Sequence, residues 1–246
     1  MNRYLATRTL GFMLLIVSLV LYGIDYLALG GGREIASGFL GNFAFLPLYV
    51  LFVTLMIERV LKERERISLR RKLNMVIGVF FSEVGTELLR NLTDFLPAPA
   101  ELERRLQVRP QWTANDFREL SAFLAAFELQ LDSRMGDLAY LRHFLVGKRE
   151  FMLRLLENPN LLEHDEFTDL LWAVFHLVDE LMARTNLAEL SQPDLDHLAG
   201  DMRRAFGHLL REWVIYMTHL KADYPYLFSL AVRMNPLDPE AHAEVD

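Results

Sequence analysis

Two uncharged apolar runs open the chain, and helical spacing governs the rest. Thr9 to Ile24 (TLGFMLLIVSLVLYGI) carries no charge, and its apolar character continues past Asp25 to about Leu29. Ile35 to Ile57 (IASGFLGNFAFLPLYVLFVTLMI) is a second run, of twenty-three uncharged residues. A hydrocarbon layer of ~30 Å needs about 20 helical residues, so each run is long enough to span one. The intervening GGGRE suits a tight hairpin. Asn42 and Pro47 are expected to bend the second span, since a proline removes one backbone hydrogen bond. Asp25, near the outer end of the first span, is expected to reach water. The rival reading of the start is a cleaved leader ending at Ala28-Leu29-Gly30, which the length of the apolar run disfavours.

Beyond Ile57 the spacing becomes amphipathic. Glu58 to Lys72 (ERVLKERERISLRRK) contains good helix formers and no breaker, and predicts a charged stalk continuing the second span. Leu73, Ile77, Phe80, Val84, Leu88, Leu92 and Phe95 then share one helical face, and Pro97 and Pro99 end that helix. A cap at Thr113 opens a helix to about Asp132. Further helices are expected from about Gly136 to Glu157, from Glu163 to Arg184, and from Ser191 to the break at Tyr224-Pro225. YLFSLAVRMNP forms a short apolar closing element that seals the core. No stretch shows the period-two alternation of a strand. The pattern predicts an all-α protein: a transmembrane hairpin (1–57, spans about 9–29 and 35–57), a stalk (58–72), a helical domain of about five helices (73–235) and an acidic tail (236–246).

Charge orients this arrangement. Residues 1–72 hold ten Lys/Arg against five Asp/Glu, and residues 73–246 hold sixteen against twenty-eight, so about +5 stands against about −12. The cations flank the two spans on one side: Arg3 and Arg8 before the first, and Arg59, Lys62, Arg64, Arg66, Arg70, Arg71 and Lys72 after the second. The positive-inside bias puts both termini in the cytoplasm, in the cell (inner) membrane. An acidic domain of this kind excludes nucleic acid as a partner, because phosphate binding rests on clustered Lys/Arg. The absence of cysteine excludes disulfides and thiolate metal sites.

The candidate chemistry lies in one repeat. His-Leu-x-x-Asp/Glu occurs at His197/Asp201, His208/Glu212 and His219/Asp223, each eleven residues after the last, and a related His176/Glu180 lies upstream. Eleven helical residues turn about 20° beyond three full turns. The three histidines and three acids therefore form one polar stripe beside the apolar set Leu195, Leu198, Met202, Phe206, Leu209, Trp213, Tyr216 and Leu220. Successive histidines lie ~16 Å apart along the axis, so they cannot share an ion. Each His and the acid four residues on can offer two ligands, too few for zinc unless a second helix supplies the rest. His176/Glu180 can do so if its helix lies alongside.

Phosphate loops, HExxH, GxSxG and paired Glu-x-x-His are all missing, so no catalytic or cofactor-binding residue is assigned and no cofactor is predicted. The preferred reading takes the stripe as hydrogen-bonded couples on a packed helix. The expected function is that of a membrane-anchored helical module acting by protein association, as scaffold, adaptor or sensor, and self-associating. The alternatives are a metal- or haem-binding bundle built on the His/carboxylate pairs, and a subunit of an oligomeric channel or transporter.

Overall fold

The computed structural model describes residues 32–158, Leu161 and residues 164–244, and before them Ile16, Val20, Gly23, Ile24, Tyr26 and Leu27. Every regular element among these residues is helical. The chain divides into two compact units, Met1–Arg66 and Ile67–Asp246.

The described part of the first unit lies mostly in one long helix, α1 (Gly32–Phe80), which continues through Pro47 and through the charged stalk residues. Between Tyr49 and Ile57 the side chains of Tyr49, Val50, Leu51, Phe52, Leu55, Met56 and Ile57 are all exposed. Seven apolar residues among nine cover the whole circumference of the helix. Among the described residues, no helix is long and apolar enough to cross a membrane, so the expected transmembrane hairpin is not shown. Its first span, with Asp25 and Ala28-Leu29-Gly30, lies outside the described residues apart from the six named above.

In the second unit, Leu73, Ile77 and Phe80 are buried on one face of α1, at the expected helical spacing. One π-helical turn, Phe81–Gly85, follows, and α2 (Thr86–Thr93) continues from it. The turn allows the consecutive residues Phe80 and Phe81 both to point inward. Phe80 meets Phe167 edge-on at 5.2 Å between ring centroids, and Phe81 stacks on Tyr216 at 4.9 Å. Gly85 makes room for this arrangement, since a methyl group there would lie 2.5 Å from Phe81 Cδ1. Phe81 is held between Phe80 and Tyr216 and has little freedom to yield. Gly85→Ala is therefore expected to cost about 1–3 kcal/mol, seen as a lower midpoint in thermal unfolding.

The later helices begin where local chemistry supplies caps. They are α3 (Ala100–Leu106), α4 (Ala114–Ala126), α5 (Leu138–Leu156), α6 (Asp165–Ala183), α7 (Gln192–Asp223) and α8 (Pro225–Arg233). Thr113 and Asp116 form a capping box on α4, and Asp137 Oδ1 accepts from the backbone of Ala139 and Tyr140 at 2.9 Å. His164 Nδ1 accepts from Phe167 N at the start of α6. Ser191 Oγ caps α7, with Pro193 in its first turn as expected.

Two expectations need correction. The helix opened at Thr113 ends at Ala126 rather than about Asp132. Phe127 turns the chain extended, and the stretch then docks through a 2.9 Å bond from Asp132 N to Phe95 O. The segment after the prolines contains α3, because Pro99 caps a new helix as well as ending the old one. Seven helices follow Phe80 among the described residues: beside the five expected, α8 is the expected closing element and α3 is the addition.

α7 is the centre of this unit. Its apolar face carries Leu198, Met202, Phe206, Leu209, Trp213 and Leu220, all buried. α6 packs along it most extensively, with α4, α8 and α2 against other parts, while α5 covers α6. The connection between α6 and α7 is short, so the two run antiparallel as neighbours.

Candidate metal centre

The α6–α7 pairing brings two one-turn couples face to face. His176 and Glu180 stand four residues apart on α6, and His197 and Asp201 four apart on α7. One ligand atom from each of the four lies within 4.8 Å of the others. His176 Nε2 is 3.4 Å from Asp201 Oδ1 and 3.9 Å from Glu180 Oε1. His197 Nε2 is 3.4 Å from Glu180 Oε2 and 3.3 Å from Asp201 Oδ2. Each imidazole therefore faces carboxylates from both helices.

These separations have a simple chemical meaning. An ion bound at ~2.0–2.1 Å by four tetrahedral N or O ligands holds them about 3.3–3.4 Å apart. The four contacts use both oxygens of each carboxylate, so they are not the edges of one tetrahedron; one atom from each residue lies within 4.8 Å of the others, and an ion would draw them inward. Asp201 is the buried member, 3% exposed, and no hydrogen bond reaches its Oδ2. A buried carboxylate oxygen without a hydrogen bond is costly, and an ion at the centre would satisfy it.

A second layer of cations orients the carboxylates. Arg184 Nη1 donates to Glu180 Oε2 at 2.7 Å and its Nη2 to Asp194 Oδ1 at 3.2 Å. Asp194 is itself held by the Ser191 hydroxyl at 2.7 Å. Arg204 Nη1 donates to Asp201 Oδ1 at 3.2 Å. The Arg184 hydrogen bond keeps the Glu180 carboxyl below its usual range against the opposing effect of burial, so it is ionised at neutral pH. Contacts that fix ligand orientation in this way are characteristic of the outer shell of metal sites.

The remaining candidates are placed differently. His208 and Glu212 form no ion pair with each other. Glu212 is 1% exposed, and neither of its carboxylate oxygens has a hydrogen bond. Burial, reinforced by the nearby Glu166 and opposed by Arg211, pushes its carboxyl up to about 7. Burial and then Arg211 lower the His208 imidazole. His219 Nδ1 lies 2.8 Å from Asp223 Oδ2 and 3.0 Å from Asn74 Nδ2, a couple joining α7 to α1 within the second unit. Among the described residues, no second group of three or more His, Asp or Glu converges as the first does. Arg184 and Arg204 were not singled out from the sequence. Their signal is the spacing, four residues after Glu180 and three after Asp201.

Fold and site together define an all-α protein with a two-histidine, two-carboxylate cluster between adjacent antiparallel helices. Residues 69–233 match the family model described as uncharacterized protein MJ1433, C-terminal helical domain, and residues 3–61 match the MJ1433 N-terminal helical domain. The chain belongs to this MJ1433 family. A protein of Methanocaldococcus jannaschii described as uncharacterized protein MJ1433 is 42% identical over 225 residues, covering 92% of this chain and 90% of that one. No solved structure matches. The interval between the two matched segments contains the boundary of the compact units after Arg66.

Proposed function

We propose that this protein is a membrane-anchored helical module whose second unit binds one divalent transition ion, zinc by its imidazole and carboxylate donors, between α6 and α7. The carrying observation is the convergence of His176, Glu180, His197 and Asp201, one ligand atom of each within 4.8 Å of the others. Four protein ligands fill a tetrahedron and leave no position for substrate, as in structural zinc sites. The ion therefore clamps two helices and supports an associating role, as scaffold, adaptor or sensor, rather than catalysis. Two imidazoles and two carboxylates, without sulfur, suit zinc better than a soft ion.

The same reading anchors the chain in the cell membrane by a hairpin of spans at about 9–29 and 35–57, with both termini cytoplasmic. It is supported by the uncharged runs, by the cations that flank them, and by the exposed apolar residues encircling α1 from Tyr49 to Ile57. A helix that is apolar on every side belongs in lipid or in a protein core. Lipid and a second copy of the chain are the partners this surface fits.

Zinc titration of the full chain in detergent tests the metal reading. The expected result is one equivalent bound, with thermal stability rising by about 2.7 kcal/mol at a hundredfold excess over Kd. No saturable binding at micromolar zinc would remove the reading.

A further inference from the structure

Each carboxylate of the His176/Glu180/His197/Asp201 cluster has one oxygen held by an arginine. Arg184 Nη1 takes Glu180 Oε2 at 2.7 Å, and Arg204 Nη1 takes Asp201 Oδ1 at 3.2 Å. Glu180 Oε1 and Asp201 Oδ2 remain, and the second of these is buried and accepts no hydrogen bond. The two arginines hold with different firmness. The Arg184 side chain is 15% exposed, its Nη1 also donates to the Glu180 backbone carbonyl at 2.7 Å, and its Nη2 is engaged by Asp194. Arg142 of α5 donates to the Arg184 backbone carbonyl at 3.1 Å, which fixes the residue further. The Arg204 side chain is 58% exposed and its bond is longer.

A guanidinium beside a dication repels it, so this placement does not serve affinity. It serves the number of donors. Zinc is satisfied by four, and two imidazoles with one oxygen from each carboxylate supply four. Manganese and calcium take six or more oxygens, and an oxygen engaged by a guanidinium is withheld from such a shell. We propose that Arg184, and more weakly Arg204, set the ion selectivity of the cluster by restricting each carboxylate to one donor oxygen. This rests on the metal reading above and adds to it which residues choose the ion. Both arginines are positioning residues, acting through Glu180 and Asp201.

Competitive titration of the full chain in detergent with zinc and manganese(II) is the test, with free manganese read by its paramagnetic resonance signal. Zinc outbinds manganese at most nitrogen- and oxygen-donor sites, so the wild-type ratio decides nothing and its change in a variant does. Arg184→Leu is expected to lower the zinc-to-manganese affinity ratio at least about tenfold. Zinc loses the ~10–100-fold usual for a missing outer-shell contact, while manganese gains an oxygen. The lost positive charge acts on both dications alike and cancels in the ratio. Arg184→Lys keeps a donor four residues after Glu180 and should hold the ratio within about threefold of the wild type. Arg204→Ala should lower it about threefold or more, and decides alone if Arg184→Leu does not fold. Zinc and manganese affinities that fall together in the Leu and Ala variants would make the arginines structural supports and overturn the proposal. A ratio as low in Arg184→Lys as in Arg184→Leu would do the same. Wild-type protein that binds neither ion would instead remove the metal centre, and this proposal with it.

Discussion

Asp201→Ala is expected to weaken zinc binding by the full chain by at least about 100-fold, and to abolish the zinc-dependent rise in the unfolding midpoint. Loss of an outer-shell contact costs about 10–100-fold in metal affinity. Removing a direct ligand from a four-ligand site costs more, because water must complete the tetrahedron. Asp201 is the most informative of the four: it is the buried member, and it faces both imidazoles, at 3.4 and 3.3 Å. In the absence of metal the variant should unfold near the wild type. It loses the pair with Arg204, whose side chain is 58% exposed, but also a buried oxygen without a hydrogen bond. A variant that unfolds well below metal-free wild type, yet still binds zinc normally, would mean that Asp201 is an ordinary core anchor. Calorimetric titration with paired melting curves separates the two outcomes.

Glu212→Gln is expected to flatten the pH dependence of stability and to stabilise the protein at pH 8. Burial, with Glu166 reinforcing it and Arg211 opposing it, raises the folded-state carboxyl from the ordinary 4.5 to about 7. In the unfolded chain it ionises near 4.5, so between about pH 4.5 and 7 the folded state binds more protons. Stability must then fall as pH rises through that window. The favourable contribution is complete below about 4.5 and gone above about 7. A shift of this size corresponds to roughly 3 kcal/mol. A neutral amide of the same shape removes the titration, and the gain at pH 8 should be about 1–3 kcal/mol, since the buried amide still lacks partners. Denaturant melts of both proteins at pH 4.5, 6 and 8 read the slope. Parallel curves for the two would show that Glu212 is ionised in the folded state throughout.

The stripe on α7 shows what the sequence made legible. A turn of about 20° per eleven residues implies that successive histidines rotate toward the apolar face. Their burial follows that rotation: the His197 side chain is 54% exposed and that of His219 only 12%. The acids do not follow it: Asp201 and Glu212 are buried while the Asp223 side chain is 55% exposed, because the packing of neighbouring helices, which the stripe does not contain, decides their burial. The two-ligand couples and the need for a second helix were readable from spacing. Which of the three couples would meet His176/Glu180 was not, because that depends on how far α6 runs before the chain returns. The short connection after Arg184 selects His197/Asp201, the couple nearest the start of α7. The helical class was likewise readable from periodicity. The π-helical turn was not, since FSEVG carries no local signal that distinguishes it from an α-helical turn, and α3 was hidden because Pro99 reads equally as a stop and as a start.

Zinc K-edge X-ray absorption on the full chain loaded with one equivalent tests the metal centre most directly. The account predicts four N/O neighbours at about 2.0–2.1 Å, with the outer-shell scattering of two imidazoles, reduced to one in His197→Ala. A six-coordinate oxygen shell without imidazole scattering, or a spectrum unchanged by His197→Ala, would contradict it.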